Sequence, residues 1–307
     1  MHYSSLHEGL IAFAGADAQT FLHNVPSCDV ANLPANRSTY GSFCTPKGRM
    51  LATFLLWRTA EGVLMQLPPA LCEPIRKRLS MYILRLKVTA TEATGAYSSF
   101  GIAGDGSAAF AEQLVGTPVV APHEVAQTSR GIVLKLPADR YQIIVARADG
   151  DSMRAALAAS GEEATEAWWS GLSIRAGIPC ILPQTQEQFV PQAVNLDAIG
   201  GVSFSKGCYP GQEIVARMHY LGRLKERMYI AHIESGELPC PGDKLFGVDM
   251  GDQAAGTIVN AAPAPAGGFD ALAVIRLSSV AAGPVRWKSA QGEALQIFEL
   301  PYQLPAT

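Results

Sequence analysis

The chain has 307 residues, 48% of them apolar and 17% charged, a compact globular composition long enough for roughly two domains. Its net charge of −3 excludes a protein built mainly to coat nucleic acid or an anionic membrane. With no run of ~18 apolar residues and no basic segment leading into a cleavable apolar one, the chain is expected to be cytoplasmic, with reduced thiols.

GLIAFAG (9–15) reads as a strand, followed by Asp17 as a helix N-cap and AQTFLHN as a short helix. Residues 39–58 read as a hairpin around the turn Pro46-Lys47-Gly48, and GVLMQLP (62–68) as a further strand. In 70–82, Ile75, Leu79 and Tyr82 recur at helical spacing, and KVTATEA (87–93) alternates as a half-buried strand does. The pattern repeats with YSSFGIAG as a strand, AAFAEQLV as a helix, and GIVLKLP and RYQIIVA as strands around a turn at Ala138-Asp139. DSMRAALAAS then follows as a helix. Residues 162–180 read as helical until Gly177 and Pro179 stop them. Mixed elements with hairpin-length connections predict an α+β fold with antiparallel sheets.

After Arg227 the helical period disappears. MYIAHIES, DKLFGVD, QAAGTIVNAA, FDALAVIRL and ALQIFELP predict short strands of a small β-barrel or sandwich, with AAPAPAGG (261–268) as a hairpin tip. The expected division is an α+β region over 1–227 and a C-terminal β-barrel domain over 228–307.

The six cysteines form no C-x-x-C pair, so neither a structural zinc nor a cluster held by the familiar cysteine runs is expected. Cys208 stands apart. It lies among Gly207, Pro210 and Gly211, ahead of a predicted helix starting at Gln212. A helix N-terminus and the cations Lys206 and Arg217 favour thiolate, which makes Cys208 the candidate reactive thiol. From Lys206 to Arg227, five basic residues (Lys206, Arg217, Arg223, Lys225, Arg227) face Glu213 and Glu226, a local balance of +3. The bland alternatives are a small buried thiol and a solvated charged face. Trp168-Trp169 offers flat area to stack on a heteroaromatic ligand, although such a pair commonly packs a core.

KGCYPGQE (206–213) resembles the K-G-C-[YF]-x-G-Q-E signature of the YgfZ family, relatives of the glycine cleavage aminomethyltransferase, or T-protein. AFAGAD (12–17), FLHNVPSCDV (21–30), CTPKGRM (44–50), FVPQAVNLDAIGGVSFSKGC (189–208) and LPYQL (300–304) follow in the family's order, so the resemblance spans nearly the whole chain. It implies a T-protein-like fold of several α+β subdomains around a central hole, with a C-terminal small barrel, holding tetrahydrofolate or a one-carbon derivative. It also implies a transient role with iron–sulfur proteins or cluster-assembly factors that supports tRNA modification indirectly. Cys208 and Lys206 match the signature pair, and Trp169 matches a tryptophan of the folate pocket. Arg217 and Gln212, with Asp29 of the FLHNVPSCDV segment, complete the expected folate-binding set. A second family tryptophan is replaced near Glu8, and Arg175 stands where the T-protein has a glutamate. The alternatives are a folate-dependent aminomethyl- or methyltransferase or demethylase and, last, direct RNA binding through Arg217–Arg227, where only Tyr209 and Tyr220 offer stacking rings.

Overall fold

The computed structural model describes residues 1–220, 222 and 224–305. The chain forms two compact units, one of residues 1–40 and 54–169, the other of residues 41–53 and 170–307.

In chain order come β1 (His2–Leu6), β2 (Gly9–Ala14), α1 (Ala18–His23), β3 (Ser38–Cys44), β4 (Met50–Thr59), β5 (Gly62–Leu67), α2 (Pro69–Ser80) and β6 (Thr89–Glu92). All of these strands but β1 form a five-stranded sheet of order β3-β4-β5-β2-β6. Asp17 precedes α1 as expected but does not cap it. Its backbone is not extended (φ −101°, ψ 8°), and its carboxylate instead accepts the Lys87 N–H at 2.8 Å.

β7 (Tyr97–Ala103), α3 (Ser107–Val115), β8 (Val125–Thr128), β9 (Gly131–Leu136), β10 (Arg140–Ala146), α4 (Gly150–Ser160) and β11 (Glu162–Glu163) follow. Their sheet has the order β11-β1-β7-β10-β9-β8. Strand alternation gives it two different faces. Phe100, Ile102, Tyr141, Ile143 and Val145 point into an apolar core with Ala111, Val115, Met153 and Leu157 of the two helices. On the other face Ser4, Gly101 and Gln142 lie side by side across β1, β7 and β10. The expected turn at Ala138-Asp139 is present, both residues having positive φ (61° and 51°), the conformation that suits a two-residue hairpin.

The helix expected over 162–180 is shorter at both ends. Glu162 and Glu163 pair with β1 as β11, and α5 runs only over Glu166–Arg175. Its end is a Schellman motif. Gly177 takes φ +67°, its N–H reaches Ile174 O, and the Ile178 N–H reaches Ser173 O.

In the second unit α6 (Gln212–Tyr220) precedes β12 (Glu226–Ile233), β13 (Lys244–Gly247), β14 (Ala254–Pro263), β15 (Phe269–Arg276), α7 (Leu277–Ala282), β16 (Val285–Trp287) and β17 (Leu295–Phe298). The sheet order is β16-β13-β14-β15-β12-β17, and a bridge between Arg286 and Ala294 joins its two ends at one point. Ala231, Ile233, Leu245, Ile258, Ile275 and Trp287 form its apolar filling. AAPAPAGG turns β14 into β15, as expected. The helix α7 was not foreseen, because six residues are too few to show a period.

Two side chains of the VNLDAIGG segment fix the start of β12. Asn195, at φ +59°, offers its amide to both the C=O (2.8 Å) and N–H (3.4 Å) of Met228. Asp197 takes the Arg227 guanidinium at 2.7 and 3.2 Å, with both side chains buried.

Candidate functional site

The hairpin turn at 45–49 and the loop before α6 meet in the second unit. The turn is closed by Gly48 N–H to Thr45 O (2.9 Å) and Thr45 N–H to Arg49 O (2.8 Å). The loop folds back on itself, with Gln212 Nε2 donating to Lys206 O at 3.3 Å and the Lys206 ammonium 5.1 Å from the Tyr209 ring centre. Between them opens a cleft of about 440 Å³, with Pro46 on one side and Cys208, Tyr209, Gly211, Gln212, Glu213 and Ala216 on the other. The segments CTPKGRM and KGCYPGQE, 162 residues apart from Pro46 to Cys208, thus build one site.

Exposure separates the thiols. Cys28, Cys44 and Cys72 are buried, and desolvation pushes the Cys44 thiol up to about 12, against a hydrogen bond from Ser42. Such thiols stay protonated at neutral pH and serve as small apolar side chains. Cys180 is partly buried, while Cys208 and Cys240 are exposed. Cys208 alone of these two lines the cleft.

The basic patch is smaller than the sequence suggests. Arg227 is buried against Asp197, and Lys206 is 8% exposed against Tyr209. Arg217 and Lys225 are exposed, and Arg223 lies outside the described residues. Tyr209 is buried as well, so it is no stacking platform for RNA.

Trp169 and Asp29 belong to the first unit. The Trp169 indole lies flat on the backbone of Gly101, where a Cβ would come within 2.5 Å of the ring. The ring is 6% exposed, and the guanidinium of Arg140 sits 5.1 Å from its centre. Arg140 is fully buried, donates from Nε to Pro137 O at 3.1 Å and bonds Tyr40. Asp29 closes a turn by accepting the Asn32 N–H (3.1 Å) and side-chain amide (2.7 Å), and it pairs with His23 at 3.1 Å. Glu8, at the lost family tryptophan, is partly buried. Desolvation, helped by Glu166 and opposed by His7, raises its carboxyl to about 7.

Arg175 carries a network that no local motif announces. Its Nε donates to Asp270 at 2.8 Å, and the other Asp270 oxygen meets His232 Nδ1 at 3.0 Å. Asp270 is buried, and its hydrogen bond to His232 raises the imidazole pKa. Only the register of β12 on β15, which sets His232 opposite Asp270, brings these residues together. Among the described residues no group of three or more His, Cys, Asp or Glu is arranged to hold a metal ion, and no helix is long and apolar enough to cross a membrane.

No protein-family model matches the chain. Individual relatives decide the matter. The tRNA-modifying protein YgfZ of Sodalis glossinidius is 30% identical over 299 residues, spanning 96% of this chain and 90% of the relative. The chain belongs to the YgfZ family. YgfZ of Photobacterium profundum is 32% identical over 240 residues, 77% of this chain and 71% of its own. Among solved structures, the glycine cleavage system aminomethyltransferase T from Bartonella henselae superimposes with a TM-score of 0.75 over 98% of this chain and 85% of its own, at 16% identity. The T-protein-like fold expected of a YgfZ protein is therefore the fold observed.

Proposed function

We propose that this YgfZ-family chain is a tetrahydrofolate-binding accessory protein that serves iron–sulfur proteins through Cys208, and so supports tRNA modification indirectly. The observation that carries the reading is the placement of Cys208, an exposed thiol on the wall of a cleft built by two family segments. Membership of a family of tRNA-modifying proteins and a fold shared with an aminomethyltransferase support it. Folate is the ligand because that fold belongs to enzymes of one-carbon chemistry; Trp169 is the residue expected to stack on it. Lys206 fixes the loop that presents the thiol, through its backbone bond to Gln212 and its contact with Tyr209. A single thiolate does not hold a cluster by itself, so contact with a cluster is transient and shared with the client protein.

The test is the activity of iron–sulfur enzymes in cells whose only copy of this chain carries Cys208→Ser or Cys240→Ser. The reading predicts loss with the first and no change with the second, since Cys240 is also exposed but outside the cleft. Full activity with Cys208→Ser would remove the thiol from the function.

A further inference from the structure

The two guanidinium–carboxylate pairs of the second unit are built differently. Arg227 grips Asp197 with both terminal nitrogens, at 2.7 and 3.2 Å, and the pair is buried, with side chains 5% and 3% exposed. That is the fork geometry in which the two charges meet directly, although Arg227 Nε is buried without a hydrogen-bond partner. Arg175 instead touches Asp270 through Nε alone, because the second Asp270 oxygen is taken by His232. Its side chain is 49% exposed while that of Asp270 is 6% exposed. Among the described residues Nη1 and Nη2 make no hydrogen bond or ion pair.

The support beneath Arg175 is rigid. It is the last residue of α5, immediately before the Schellman turn at Gly177. Tyr302 donates its hydroxyl proton to Gly177 O at 2.9 Å, and a Cβ at Gly177 would come within 2.6 Å of the Tyr302 ring. Backbone and Nε are thus held, and Nη1 and Nη2 remain available on a half-exposed guanidinium. A guanidinium so held loses little side-chain freedom on meeting a planar oxyanion.

We propose that Arg175 is a receptor for a carboxylate on a small ligand, with Asp270 as its positioning residue and His232 as the group that keeps Asp270 from closing the fork. A carboxylate fits better than a phosphate. The site has one open cation, with Asp270 behind it and Glu234 bonded to His232 at 3.2 Å, and these anions oppose a group that carries two charges itself, as phosphate does, more than a singly charged carboxylate. This assignment goes beyond folate binding and does not depend on it.

Nitrogen-15 NMR of the arginine side chains provides the test. The probes are glutarate, a free dicarboxylate, and p-aminobenzoyl-glutamate, which carries the same carboxylates on an aromatic amide. Saturable shifts of the Arg175 Nη signals with either probe, and a probe affinity, read in both proteins from the backbone amide signals of residues 174–177, weakened about tenfold or more by Arg175→Lys, are the expected result. Shifts with p-aminobenzoyl-glutamate alone assign the site to a carboxylate on a larger ligand, and shifts with both assign it to carboxylates generally. Asp270→Asn should move the Arg175 Nε–H signal and weaken both probes, and thermal melts establish that each variant is folded. No response of Arg175 to either probe, or an unchanged probe affinity in Arg175→Lys, would overturn the proposal and leave the residue as a tether between α5 and β15.

Discussion

Gly48 and Gly211 meet backbone to backbone, so closely that a Cβ on Gly211 would lie 2.7 Å from Gly48 Cα and 2.5 Å from Thr45 O. Both have positive φ, 71° and 83°. This contact sets the width of the cleft at Cys208, because Pro46 stands on one side of it and Gln212 on the other. Gly211 cannot be replaced without moving a wall, and a Cβ on Gly48 would press on the Ile214 side chain at 3.0 Å.

Gly211→Ala should therefore separate the 45–49 turn from α6. The left-handed conformation alone costs a side chain about 1–2 kcal/mol, before the clash with backbone is counted. The expected result is a lower denaturant midpoint together with a changed rate of Cys208 alkylation. Wild-type stability and an unchanged alkylation rate would mean that the two loops are not in contact.

Breaking the Asp197–Arg227 pair should be severe. Arg227→Met leaves Asp197 buried without its cation, a change of about 3–5 kcal/mol. Replacing both partners with apolar residues of similar size, Asp197→Leu with Arg227→Met, should recover most of that loss. Chemical denaturation of the two variants checks this, and equal destabilisation would assign the cost to lost packing.

His232 should give the protein a pH-dependent margin. The hydrogen bond to Asp270 is the largest cause of its raised pKa, with Glu234 adding and burial opposing. A folded-state pKa above the unfolded value of about 6.5 stabilises fully below that pH. The contribution is then lost as pH rises through the folded value. Melting temperatures from pH 5 to 9 should show this decline in the wild type and a flatter profile in His232→Gln.

Glu8 should act in the same direction for a different reason. Its carboxyl is raised to about 7, chiefly by desolvation and then by Glu166, so the folded protein favours the protonated acid. The stabilisation is complete below the ordinary carboxylate range and is lost as pH rises through about 7. Glu8→Gln, neutral at every pH, should raise the melting temperature at pH 8 and leave it unchanged at pH 4. An equal gain at both pH values would point to packing.

Features whose information is local were legible in the sequence. The hairpin turn at Pro46-Lys47-Gly48, the Ala138-Asp139 turn, the stop at Gly177 and the Gly-rich loop at Cys208 all follow from residue chemistry within a few positions. The fold itself was legible through the family segments, each a short run in a fixed order. Features set by distant register were not. Asp197 reaches Arg227 30 positions away and Arg175 reaches Asp270 95 away, and nothing near either carboxylate names its partner. That is why Arg227 was counted in a basic patch when it is a buried structural cation. Burial misled in the same way at Tyr209, which closes the loop beneath Lys206. The Asp17 side chain was expected to cap α1 but instead bonds Lys87, a residue 70 positions away.

The most direct measurement is anaerobic equilibrium binding of tetrahydrofolate to the wild type, Cys208→Ala and Trp169→Phe. Saturable binding by the wild type, kept in Cys208→Ala and weakened in Trp169→Phe, is the predicted result, placing folate and the reactive thiol in separate roles. Absence of saturable binding by the wild type would contradict the folate reading, leaving the T-protein-like fold as scaffold for the Cys208 cleft alone.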